Sequence, residues 1–113
     1  MTTQIREEKG ISILRPSGKI VGSAVSDLRE TLLPKIEDSD AARVLLNFEN
    51  VRMIDSSGLG VLIEAHTVAK RRNGRIGAIH IGKHIKNLVV VHRLIHIFEH
   101  FDDEAEAVSA LSD

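Results

Sequence analysis

The hydrophobic positions of this chain change period several times, and each change marks an element. A weak strand is expected over residues 4–7, joined by a turn at Lys9-Gly10 to a second over residues 11–21. That second strand carries Ile11, Ile13 and Lys19-Ile20-Val21 around the break Pro16-Ser17-Gly18. Ser23 is placed to cap a helix whose Val25, Leu28, Leu32 and Ile36 share one face, and Pro34, which lacks a backbone donor, is expected to kink or shorten it. Residues 43–48 form a mostly apolar run with Val44, Leu46 and Phe48 on one side and Leu45 on the other, so both faces should be covered. A helix over residues 57–72 follows from the stripe Val61, Leu62, Ala65, Val68, Ala69 and stops at Asn73-Gly74. Then come a strand over 76–81, a helix over 83–92 with Ile85, Leu88 and Val89 inward, and a short strand over 95–98. A last helix carries Ala107, Val108 and Leu111, with Asp103 and Glu106 as a capping-box-like start. The order predicts an α/β fold: one domain over residues 1–113, with a mixed sheet of four to five strands and about four helices.

Composition narrows the function classes. With 113 residues, 42% apolar and 27% charged, the chain suits one ordinary globular core, necessarily aliphatic because it has three Phe and no Trp or Tyr. Fifteen Lys and Arg nearly balance sixteen Asp and Glu, which with so few aromatic rings argues against a nucleic-acid partner. No cysteine is present, so disulfides, thiol chemistry and cysteine zinc sites are excluded. The N-terminal residues lack a signal-peptide order, Thr2 stands where myristoylation needs glycine, and no apolar run has a bilayer-spanning length. A cytoplasmic location without membrane insertion is expected.

The segment richest in chemistry is Asp55-Ser56-Ser57-Gly58-Leu59-Gly60. It lies between a strand-loop segment and a well-formed helix, which displays serine hydroxyls at a helix N-terminus, where amides are unsatisfied and the dipole is positive. A phosphate on such a serine gains about 0.3 to 1 kcal/mol from the dipole, opposed by like-charge repulsion from Asp55. Gly58 and Gly60 keep side-chain bulk off the corner and would let another protein's active site approach. The plainer reading is that Asp55 or Ser56 caps the helix and the glycines serve a tight turn.

The stretch from Met53 to Leu62, following the strand Val44-Leu45-Leu46-Asn47-Phe48, resembles the signature of the STAS domain family, the sulphate transporter and anti-sigma factor antagonist domains. The likeness extends over essentially the whole chain, including Gly74-Arg75-Ile76 and Ile85-Lys86-Asn87-Leu88. It implies a non-enzymatic, cofactor-free bacterial partner-switching protein. In that family the serine after the motif aspartate, here Ser56, is phosphorylated by a partner that is both anti-sigma factor and serine protein kinase. A PP2C-like phosphatase restores it. The unmodified form binds the anti-sigma factor and frees the sigma factor, so the domain regulates transcription. Asp55 then positions the loop with Ser57, Gly58 and Gly60, and Ser57 is a helix-start residue rather than the acceptor. Leu59, Ile63, His66 and Lys70 lie on a second stripe of the same helix, and Leu59, Ile63 and His66 are candidates for the partner surface; the alternative is that Leu59 and Ile63 pack at the core's edge.

The sequence departs from the family pattern in two places. Gly18-Lys19-Ile20-Val21-Gly22 lacks the acidic residue many relatives carry near Val21, and His92-Arg93 stands where a small residue and glycine are common, so the chain must leave its third helix without a glycine. Other chemistry meets obstacles in the spacing. His92, His96 and His100 would share a face on a continuous helix and could bind zinc, but the strand expected at 95–98 breaks that spacing, and His80 and His84 straddle a strand end and a helix start. No metal site is expected. A serine hydrolase would want a Gly-x-Ser-x-Gly elbow, which is absent, and Lys70-Arg71-Arg72 suits a solvated helix end. The rival functions are a non-switching STAS subunit of a stressosome-like or lipid-transport complex, and a nucleotide-binding STAS module, for which no GxxxxGK[ST] loop exists.

Overall fold

The computed structural model describes residues 2–112. Strand β1 (Thr2–Glu8) turns through Lys9 and Gly10 into β2 (Ile11–Ile20), and both turn residues have positive φ, 51° and 78°, as the tight two-residue hairpins that match strand twist require. The Pro16-Ser17-Gly18 break does not divide β2. Pro16 pairs opposite Thr3, and the register shifts only between Gly18 and Lys19. Helix α1 (Ser23–Glu37) is followed by β3 (Arg43–Asn47), β4 (Val51–Ile54), α2 (Ser56–Arg71), β5 (Arg75–Ile79), α3 (Lys83–Val91), a 3₁₀ turn (Ile95–Ile97), β6 (Glu99–His100) and α4 (Glu104–Leu111).

The sheet runs β1-β2-β3-β5-β6, antiparallel at β1/β2 and parallel elsewhere, with β4 paired to the far half of β2. It has six strands, one more than the pattern predicted. The added strand is β4, a four-residue segment with only Val51 and Ile54 buried, too short for a periodic signal and held by the length of β2.

Side-chain alternation sorts the core into two layers. Val44 and Leu46 of β3 and Ile76 and Ala78 of β5 face the larger cluster with Leu28, Leu32 and Ile36 of α1, Leu62, Ala65 and Ala69 of α2, and Ile85 and Val89 of α3. Leu45 and Ile79 face the other way, onto Ala107, Val108 and Leu111 of α4. Helix α4 begins as expected, with the Asp103 carboxylate accepting the Glu106 N–H at 2.8 Å.

Three local expectations are corrected. The N-cap of α1 is Gly22 at φ 59°, with no side-chain capping bond, so Ser23 is the first helical residue. Pro34 does not end α1, which continues through Glu37 with the Asp38 N–H donating to the Pro34 carbonyl; the donor it lacks falls on an exposed face, while Leu32, Leu33 and Ile36 are buried around it. Residues 95–97 are a 3₁₀ turn, and the strand begins at Glu99. The cause lies upstream: Arg93 takes φ 59°, Leu94 N–H donates to Val89 O at 2.7 Å, and Arg93 N–H to Val90 O at 3.0 Å. This is a Schellman exit with arginine in glycine's usual position.

Candidate functional site

Ile20 at the end of β2 pairs with Ile54 at the end of β4, so α1 and α2 start from adjacent points at the C-terminal ends of these two strands. Asp55 is the N-cap of α2, extended at φ −99°, and its side chain accepts the Gly58 N–H at 2.9 Å. The carboxylate therefore ties down an orphan amide of the first turn, with a typical value of about 1 kcal/mol. Of the two capping candidates, Asp55 fills the role. Ser56 is the first helical residue and Ser57 the second, and both are exposed.

The two glycines of the motif do different things. A Cβ on Gly58 would sit 2.6 Å from Ile54 Cγ1 and 3.1 Å from the Ile20 backbone oxygen, so α2 reaches the strand ends only because residue 58 has no side chain. Gly60 has open space where a Cβ would project. It is exposed and serves no packing purpose.

Helical spacing puts Ser56, Gly60, Ile63 and Thr67 on one outward stripe. Ile63 is 36% exposed. Beside the stripe, Glu64 receives two hydrogen bonds from Arg29 of α1, at 2.9 and 2.7 Å, which hold its carboxyl below the ordinary range. Leu59, a partner-surface candidate from sequence, is only 5% exposed and belongs to the core; of the two readings of that residue, edge packing is the correct one. His66 leaves the stripe as well and turns to the flank, its ring 6.0 Å from that of His96 in an edge-on contact. Burial is the main influence lowering the His66 pKa, and the nearby charges of Lys70 and His96 act in the same direction. Thr67 is the residue the structure adds to the stripe of Ser56, Gly60 and Ile63. The same stripe spacing was legible in the sequence, but small and polar residues give no periodic hydrophobic signal.

The remaining histidines do not converge. His100 Nε2 lies 2.6 Å from the Ile95 carbonyl, while His96 faces His66. Among the described residues no group of three His, Asp or Glu is placed to hold a metal ion, and no helix is long and apolar enough to cross a membrane.

The family model of the STAS domain matches residues 2–107. An anti-sigma F factor antagonist of Paenibacillus polymyxa is similar at 25% identity, over 98% of this chain and 97% of that protein. An anti-sigma factor antagonist from Mycobacterium paratuberculosis superposes with a TM-score of 0.85 at 21% identity, covering 99% of this chain and 94% of the other. The Bacillus cell fate determinant SpoIIAA, in its phosphorylated form, superposes with a TM-score of 0.76 at 19% identity over 97% of this chain and 99% of its own.

Proposed function

The chain belongs to the STAS domain family, and we propose that it is an anti-sigma factor antagonist gated by phosphorylation of Ser56. Its unmodified form binds an anti-sigma factor that is also a serine protein kinase, and the phosphorylated form is released until a PP2C-like phosphatase restores the hydroxyl. The observation that carries this reading is the position of Ser56: exposed at the first turn of α2, next to a capped amide, on a stripe kept bare by Gly60 and given an apolar contact by Ile63. The likeness to an antagonist matched over nearly the whole of both chains, and to a relative known in a phosphorylated form, supports it.

The physics of the switch follows from the same geometry. Phosphate at Ser56 adds about −1.5 to −2 charges at a helix N-terminus, where amides and the dipole favour it by about 0.3 to 1 kcal/mol, so the fold tolerates the modification. In a complex the group would be buried against a partner shaped for a hydroxyl, and unpaired burial of a polar group costs about 2 to 7 kcal/mol, more for a charge. The penalty falls on the complex and spares the free domain. Ser57, the second helical residue, stands beside the acceptor and is not itself modified in this reading. The chain is in this reading a substrate and ligand, not an enzyme.

Intact-mass measurement on protein from its own cells, with Ser56→Ala as control, should show a phosphate that the variant lacks. In pull-downs against the cell's serine-kinase anti-sigma factors, Ser56→Ala should capture a partner that Ser56→Asp does not. Equal capture by both would favour a non-switching STAS subunit and defeat the proposal.

A further inference from the structure

The near-zero net charge conceals a strong segregation along the chain. Between Ala65 and Phe98 stand seven of the fifteen Lys and Arg and none of the sixteen Asp and Glu, so this stretch carries +7 and the rest of the chain −8. Some of that charge is neutralised across the fold, since Arg72 meets Asp40 and Arg75 meets Glu99. The cations of α3 and its exit, Lys83, Lys86 and Arg93, are all exposed.

The same element carries misplaced apolar surface. Helix α3 buries Ile85 and Val89, yet Val90 is 55% exposed, Val91 is 74% exposed, and Ile95 beyond the turn is 43% exposed. Helical spacing stacks Val90 over Lys83 and Lys86 on the outward side, and the left-handed turn at Arg93 brings Ile95 back beside the helix end. The result is an apolar patch framed by cations, on elements that contribute nothing to the Asp55–Gly60 turn.

We propose that this outer face of α3 and the following 3₁₀ turn is a second docking surface, independent of Ser56 gating, for a protein segment that presents acidic side chains around an apolar contact. Charge complementarity identifies the occupant: only an anionic partner gains from meeting Lys83, Lys86 and Arg93 together, and only an apolar one gains from covering Val90 and Val91. A membrane surface fits less well. The face has no Trp, Phe or Leu to enter the headgroup boundary, the helix is nine residues long, and three cations make a smaller patch than the roughly four to eight of a polybasic lipid-binding segment. Nucleic acid would bury the valines against phosphates, and the rings near the face, His84, His92 and His96, are small imidazoles rather than the broad Phe, Tyr or Trp platforms on which single-stranded bases stack.

The test is an NMR titration of the full isotope-labelled chain with an alternating Glu-Leu helical peptide. Parallel titrations use its Gln-Leu analogue, phosphatidylserine-rich vesicles and a random-sequence DNA duplex. The expected result is shifts confined to residues 83–96 with the acidic peptide, about tenfold weaker binding with the glutamine analogue, and a similar loss in Lys83→Glu/Lys86→Glu. Both lysines are exposed, so that variant should keep the parent spectrum elsewhere, and Val91→Ser gives a second check with the charges intact. Absence of shifts with the acidic peptide, equal binding of the analogue, stronger binding to vesicles or DNA, or concentration-dependent shifts at this face without any peptide would each overturn the proposal. Ser56→Asp should bind the acidic peptide as the parent does, so failure here and failure of Ser56 gating are separable.

Discussion

The start of α2 and the end of α3 are both helix termini on the same side of the sheet, and they are built in opposite ways. At Asp55–Gly60 every residue suits its place: an aspartate accepts the orphan amide, a glycine lies where a methyl group would collide, and a second glycine faces open space. At residues 90–96 the chain makes its turn with Arg93 in the left-handed region and leaves Val90, Val91 and Ile95 in solvent. Local rules are satisfied at the first corner and broken at the second. The lesson is that the first corner is determined by the fold's own packing, whereas the exposed face of the second gains nothing from folding and calls for an explanation outside the chain.

The contrast can be broken most sharply at Gly58. Gly58→Val forces branched atoms against Ile54 and the Ile20 backbone, an overpacking that should cost about 1 to 3 kcal/mol or more, read as a lower urea midpoint. Asp55→Ala should cost about 1 kcal/mol through loss of the cap, and Asp103→Ala at α4, which has the same bond, provides a matched control. Gly60→Ala should instead stabilise the domain by up to about 1 kcal/mol, since alanine is the better helix former and nothing lies within reach of its Cβ. If the Ser56 stripe is the partner surface, that same variant should weaken partner binding. At the second corner, Arg93→Gly should raise stability by less than about 1 kcal/mol, because relief of the left-handed strain is partly offset by glycine's greater freedom when unfolded.

The flank between the two corners should be sensitive to pH. The His66 pKa is depressed in the folded state, so the unfolded chain takes up the proton first as pH falls from about 6.5. Stability is thus full above that pH and declines as pH drops through the folded-state value, with Lys70 and His96 facing the same ring. Glu99, held low chiefly by its hydrogen bond from Arg75, adds a separate loss in the acidic carboxylate range. Thermal melts from pH 7.5 to 5.5 should show the first decline, and His66→Gln should flatten it.

The two corners also differ in how far the sequence revealed them. The helix expected from residue 57, a cap at Asp55 or Ser56 and the stop at Asn73-Gly74 were legible because caps and glycines act through a few neighbouring atoms; the structure starts the helix one residue earlier and gives the cap to Asp55. The first and third helices and the inward residues Leu28, Leu32, Ile36, Ile85 and Val89 followed from periodicity for the same reason. Strand β4 was not legible, because its pairing depends on β2 running past the end of β3, a long-range circumstance that four residues cannot announce. The 3₁₀ turn was missed because Ile95, Ile97 and Phe98 have strand-like composition, while the turn at Arg93 that redirects them has no glycine to signal it. The two readings of Leu59, partner surface or core edge, could not be separated from sequence: it sits at the margin of the buried face, where spacing alone does not divide core from surface.

The switch rests on one hydroxyl, that of Ser56. Its most direct test is the affinity of the unmodified domain, and of the same domain carrying phosphoserine at position 56, for the cell's own serine-kinase anti-sigma factor, measured side by side by calorimetry. The phosphorylated form should keep the fold and bind at least about tenfold more weakly, a difference of about 1.4 kcal/mol or more. Equal affinities for the two forms, with both folded, would contradict it.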